Sequence, residues 1–135
     1  MDINLKHKTA IVCGSTQGIG LATAKELAKL GANIILIARN PERLESTMKA
    51  LDTSADQSHG FIVADFTQPE ELKNMLDISL GNKSVEILVN NTGGPAGGLI
   101  HEASTDEFIA AFNQHLICNH ILVQAVKDKM IAAKY

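Results

Sequence analysis

The sequence predicts an α/β fold, a single unit built on part of a doubly wound parallel sheet in strand order 3-2-1-4 with helices on both faces. Three observations carry that prediction. Short, β-branched apolar runs alternate with helix-like segments along the whole chain. The connections between them are brief, as right-handed crossovers in one sheet require. The unusual residues of the sequence fall just after the predicted strands, at what would be one rim of the sheet.

The first strand is predicted at Thr9-Ala10-Ile11-Val12-Cys13, which has the length and branching of a buried strand. A glycine-rich turn, Gly14 to Gly20, leads into a helix on which Ile19, Ala22, Leu27 and Leu30 form an apolar stripe, and Gly31 is placed to cap its end. Asn33 to Ala38 is apolar on both faces, as a central parallel strand must be. Asn40 followed by Pro41 reads as an N-cap and first helical position of a second helix reaching about Leu51. A polar loop, Asp52 to His59, precedes a third strand at Phe61 to Ala64. Thr67-Gln68-Pro69-Glu70 reads as a capping box with proline inside it, opening a third helix through about Ser79. The fourth strand is Glu86 to Asn90, followed by the glycine loop Asn91 to Gly98, and Ser104-Thr105-Asp106-Glu107 opens a long last helix.

Composition narrows the function. A chain of 135 residues with 45% hydrophobic residues supports one core and is short for two domains. Its 12 Lys and Arg are outnumbered by 15 Asp and Glu and form no basic stripe, which excludes nucleic acid as the expected partner. The N-terminal segment lacks the apolar core of a signal peptide and no run is long enough to span a membrane, so a cytoplasmic location is expected. Cys13 and Cys118 read as buried free thiols. His7, His59, His101 and His120 have no metal-ligand spacing, and no metal is expected.

The stretch Cys13-Gly14-Ser15-Thr16-Gln17-Gly18-Ile19-Gly20, lying between a strand and a helix, reads as a phosphate cradle. Glycines permit the sharp reversal and a close approach of the backbone, and the free amides at the helix start attract an anion. Its glycine spacing departs from G-x-G-x-x-G, and an ordinary glycine-rich connection is the alternative.

With these motifs the chain resembles the short-chain dehydrogenase/reductase family, on its N-terminal half, and looks similar to a 3-oxoacyl-acyl-carrier-protein reductase-like branch. The family's Thr-Gly-x-x-x-Gly-x-Gly appears as Cys13 to Gly20, with Cys13 replacing threonine, and its Asn-Asn-Ala-Gly appears as Asn90-Asn91-Thr92-Gly93, extended by Gly94-Pro95. The resemblance implies a Rossmann-type fold and a cofactor site formed by Gly14, Ser15, Thr16, Gln17, Gly18, Ile19, Gly20, Arg39, Asp65, Asn91, Thr92 and Gly93. By the same resemblance Asp65 meets the adenine and Asn91 lines the cofactor trough. The second strand ends in Ala38-Arg39 where an acidic residue would favour NAD. A guanidinium in that place engages a 2′-phosphate, so NADP is the expected cofactor. A solvated arginine ahead of a helix cap is the alternative.

The family's proton chemistry needs a Ser and a Tyr-x-x-x-Lys pair, in which lysine lowers the tyrosine pKa. The one tyrosine of this sequence is Tyr135, and no lysine follows it. No catalytic residue is therefore assigned. The resemblance implies a longer parent carrying the missing serine, tyrosine and lysine, and predicts that the 135-residue chain has no turnover. His115 stands where the family has an asparagine. It could orient a water or shuttle a proton, or be a helix residue with its ring nitrogen satisfied.

On the last helix Phe108, Phe112, Leu116, Leu122, Val126 and Met130 are expected to form one apolar side, and Ile109, Ile117, Ile121 and Ala125 a second. Cover on two sides points to a homo-oligomer through this helix. Three functions stay open: the NADP-binding part of an oxidoreductase acting on a carbonyl or hydroxyl, a 3-oxoacyl thioester among them; a non-catalytic nucleotide-binding module; or a remnant that only self-associates.

Overall fold

The computed structural model describes residues 3–95 and 97–135, so Met1 and Asp2 of the N-terminal segment and Ala96 of the glycine loop lie outside the described residues. Four parallel strands, β1 (Thr9–Cys13), β2 (Asn33–Ala38), β3 (Gly60–Val63) and β4 (Ile87–Val89), form one sheet in the order β3-β2-β1-β4. Helices α1 (Gly18–Lys29), α2 (Pro41–Lys49) and α3 (Pro69–Leu80) connect them in turn. The last helix runs through α4 (Thr105–Phe112), a π turn (Asn113–Ile117) and α5 (Cys118–Ala133).

Alternation along the strands creates two cores. Ile11, Cys13, Ile35 and Ile37 face a layer that includes Leu72 and Leu76 of α3 and Cys118, Leu122 and Val126 of α5. Ala10, Val12, Ile34 and Leu36 face the other way, onto Ala24 and Ala28 of α1 and Leu44 of α2. Both faces of β1 and β2 are thus covered, which is why their sequences are apolar without interruption.

The helix faces differ from the expected stripes. On α1 the buried residues are Gly20, Ala24 and Ala28, while Ile19 is 78% exposed and Leu30 37%. The packing face is a row of small residues at four-residue spacing, which brings the helix close to the sheet; the larger side chains lie on its flanks. Gly31, at φ +97°, ends this helix as anticipated. Its amide donates to the Ala28 carbonyl (2.8 Å) and the Ala32 amide to that of Leu27 (3.1 Å), the paired bonds of a Schellman motif. Asn40 caps α2, accepting from the Arg43 amide at 2.7 Å, with Pro41 in the first turn.

The capping box expected at Thr67 is not formed. Gln68 is the N-cap of α3 and makes no side-chain cap bond. The Thr67 amide instead donates to Asp65 Oδ1 at 2.9 Å, because a local turn after β3 takes up that segment before Pro69 starts the helix. The Ser104 capping box does form, with Ser104 and Glu107 bonding reciprocally. The π turn then adds a residue to the helical repeat and resets its phase. The two apolar sides expected of one straight helix do not result. Leu122 and Val126 are buried, Met130, Ile121 and Ala125 pack partly against them, and Phe108, Ile109, Phe112 and Leu116 remain more than half exposed.

Polar side chains close the amino end of the sheet. Buried Glu86 accepts from the Thr9 amide at 2.7 Å and from the Ser84 hydroxyl. His59 accepts from the Ile34 amide through Nδ1 at 3.1 Å while its Nε2 lies 2.9 Å from the Asp52 carbonyl, which assigns the proton to Nε2.

Two glycines of the first turn are set by close packing against backbone and against the Asn91 side chain. A Cβ on Gly14, which has φ +57°, would lie 2.7 Å from Asn91 Nδ2 and from the Asn91 carbonyl oxygen. A Cβ on Gly20 would collide with the Gly14 carbonyl, and would also meet Asn91 Nδ2 at 2.8 Å. Gly20→Ala is therefore expected to lower the unfolding free energy by about 1–3 kcal/mol, the usual range for forcing extra atoms into a filled space. Urea denaturation measures this, and an unchanged midpoint would show that α1 and the β1 turn have room to separate.

Candidate functional site

The carboxyl ends of all four strands open onto one cleft of about 570 Å³. Its floor is the glycine turn, through Gly14, Thr16, Gln17, Gly18 and Ile19. Arg39, Asn40 and Arg43 enter from the end of β2 and the first turn of α2, and Asp65 and Phe66 from the end of β3. Beyond β4 come Asn91, Thr92, Gly93 and Gly94, with Gln114 of the π turn opposite.

Of the residues anticipated for this site, only Ser15, Gly20 and His115 fall outside the lining. Ser15 is fully buried, and its hydroxyl donates to the Ile37 carbonyl at 3.4 Å, tying the turn to β2. Gly20 serves the close packing described above. Gly18 is different: at φ +53° it has nothing within 4 Å of where a Cβ would stand, so this is the glycine that opens the cradle toward a ligand. Asn91 spans the strands, its Nδ2 donating to the carbonyls of Cys13 (3.2 Å) and Gly14 (3.4 Å), and thereby holds the end of β4 against the turn.

The charge of the cleft is concentrated at the β2 side. Arg39 and Arg43 are exposed, and among the described residues neither forms an ion pair. Sequence reading found Arg39 and missed Arg43. The signal was available, since the Asn40-Pro41 cap fixes where the first turn of α2 begins and so returns Arg43 to the rim. Gln114 had no comparable signal, because its approach depends on the π turn.

The two thiols do not contribute chemistry. Burial pushes the Cys13 pKa up to about 12 and that of Cys118 up to about 11, so neither forms thiolate at neutral pH. Cys118 Sγ donates to the Phe66 carbonyl at 3.2 Å. Among the described residues no cluster of His, Cys, Asp and Glu could hold a metal ion. His115 sits in the π turn, exposed and outside the cleft lining, with Nδ1 2.8 Å from Thr92 Oγ1. Tyr135 is at the opposite end of the sheet, its ring centroid 4.5 Å from the Lys8 ammonium beside the start of β1.

A cradle of backbone amides, an open glycine and two cations beside it suits a phosphate-bearing ligand. Comparison with known proteins agrees with this geometry. Inactive hydroxysteroid dehydrogenase-like protein 1 of Homo sapiens is 36% identical over 127 residues, which is 93% of this chain and 38% of that protein. The very-long-chain 3-oxoacyl-CoA reductase of Anas platyrhynchos is 38% identical over 84 residues, covering 62% of this chain and 27% of the reductase. Among solved structures, L-sorbose reductase from Gluconobacter frateurii, complexed with NADPH and L-sorbose, matches with a TM-score of 0.89 at 28% identity over 98% of this chain and 51% of that one. The chain thus spans less than half the length of these two curated relatives and about half that of the solved reductase. A family model described as short chain dehydrogenase matches residues 8–135, a span that contains every strand, every helix and every residue of the cleft. The chain belongs to the short-chain dehydrogenase family.

Proposed function

We propose that the chain binds NADP(H) in this cleft and forms the cofactor-binding part of an oxidoreductase that reduces a carbonyl or oxidises a hydroxyl, with 3-oxoacyl thioesters as the substrate class. One observation carries the reading: Arg39 directly follows β2, where an acidic side chain would select NAD, and Arg43 joins it from the first turn of α2 beside the glycine cradle. The NADPH bound to L-sorbose reductase and the name of the 3-oxoacyl-CoA reductase support it. Bound NADP(H) supplies hydride transfer at its nicotinamide. The chain's own residues hold it: the amides around Gly18 receive phosphate, Arg39 pairs with the 2′-phosphate, Asp65 and Phe66 flank the adenosine side, and Asn91 keeps the trough in shape. A cytoplasmic location belongs to the same reading, supported by two cysteines that are both free.

Calorimetric titration tests the cofactor. NADP is expected to bind more tightly than NAD, and Arg39→Ala to weaken NADP by on the order of 1.5–3 kcal/mol, the loss of a charge-assisted contact. NAD binding as tightly as NADP would overturn the assignment of Arg39.

A second reading is a nucleotide-binding module without turnover. A relative that carries "inactive" in its name points this way. The 135-residue chain is expected to leave NADPH absorbance unchanged with 3-oxoacyl thioesters and simple ketones. Turnover that tracks with the protein and disappears in His115→Ala would assign the imidazole as an acid.

Self-association through the last helix is part of the proposal, supported by Phe108, Ile109, Phe112 and Leu116, whose exposure leaves an apolar patch ahead of α5. Light scattering is expected to show a dimer, weakened by Phe112→Glu or Leu116→Glu. A monodisperse monomer at high concentration would exclude it.

A further inference from the structure

Two residues that depart from the family motifs touch each other. Thr92 replaces the alanine of Asn-Asn-Ala-Gly and His115 replaces the asparagine of the last helix, and the structure brings Thr92 Oγ1 to 2.8 Å from His115 Nδ1 across 23 residues of sequence. Thr92 lines the cleft, and His115 is exposed beside it, in the π turn whose neighbouring residue Gln114 lines the same space. The turn is braced at this point, because Asn119 Nδ2 donates to the His115 carbonyl at 2.8 Å.

Their place in the sheet says which part of a ligand they meet. The strand order puts β2 and β4 on opposite sides of β1, so Arg39 and Thr92 stand at rims two strand spacings apart, about 10 Å. A ligand whose phosphate pairs with Arg39 and whose diphosphate crosses the glycine turn reaches Thr92 with the portion that lies beyond the diphosphate.

We propose that Thr92 and His115 act as a hydrogen-bonded pair that fixes this far portion of the ligand, Thr92 as the contacting residue and His115 as its positioning residue. The inference rests on the NADP(H) reading. A hydroxyl engaged by the imidazole has one hydrogen-bonding direction fixed and another left for the ligand. If Nδ1 is unprotonated, the threonine donates to the ring and its oxygen accepts from a ligand N–H or O–H. If Nδ1 carries the proton, the threonine hydrogen is free for a ligand carbonyl. An alanine at this position could do neither, and a threonine without the ring behind it would pay rotamer entropy on binding.

The test is calorimetry on the 135-residue chain with two probes: NADPH, and adenosine 2′,5′-bisphosphate, which has the adenosine end and lacks the nicotinamide half. Thr92→Val and His115→Ala are each expected to weaken NADPH by about two- to tenfold, the worth of one hydrogen bond. The double variant should lose no more than either single one, Thr92→Ser should keep the affinity, and the bisphosphate should bind all five proteins equally, which also reports that the variants are folded. Unchanged NADPH affinity in Thr92→Val, additive losses in the double variant, or equal weakening of both probes would overturn the pair's role while leaving the cofactor assignment standing. Failure of the unsubstituted chain to bind either probe would overturn the cofactor assignment, and the pair's role with it.

Discussion

The cleft rests on a close meeting of three segments, in which the Asn91 side-chain amide packs against two glycines. Gly14 at the end of β1, Gly20 in the first turn of α1 and Asn91 after β4 are close enough that a single added methyl group would collide with a neighbour. Asn91 converts that contact into a fixed arrangement by donating to two successive carbonyls, those of Cys13 and Gly14. The turn, the helix start and the edge strand are thereby one rigid assembly, and Gly18 is left as the open position on its surface. Binding geometry at such a site is inherited from packing beneath it.

The same economy of size governs α1. Its buried row of Gly20, Ala24 and Ala28 places the axis close to the sheet, so the amides at its start stand over the ends of the strands. A helix packed on large side chains would stand farther off, and the amides at its start with it. Exposure of Ile19 is a consequence: it belongs to the cleft floor and not to the core.

Electrostatics then divides the cleft by ligand chemistry. The chain carries a net charge of -3, yet its two cleft arginines are unpaired among the described residues, on the side of the sheet away from β4. The β4 side offers the Thr92 hydroxyl and the Asn91 and Gln114 amides instead. A ligand with an anionic end and a polar neutral end is matched along the length of the rim, and reversal would place phosphate against groups that cannot neutralise it.

The alternation of apolar runs and helical segments pointed to a parallel sheet, the glycine turn after the first run to the order of a doubly wound fold, and the unbroken apolar runs of β1 and β2 to two covered faces. Element boundaries set by local chemistry were equally legible, as at Asn40-Pro41, Gly31 and the Ser104-Glu107 box, where one side chain or one backbone angle decides the outcome. Ten of the anticipated cofactor residues line the cleft, since strand ends converge on one rim in this topology. Tertiary structure alone decided the rest. Which face of α1 packs depended on how near the sheet could come, a quantity that apolar counting does not contain. The segment at Thr67 followed Asp65 because the turn after β3 competes for the same amide. The π turn packs against α3 and carries both Gln114, which reaches the cleft, and His115, which meets Thr92. A contact between residues 23 apart has no local signature, so only the folded chain could join them.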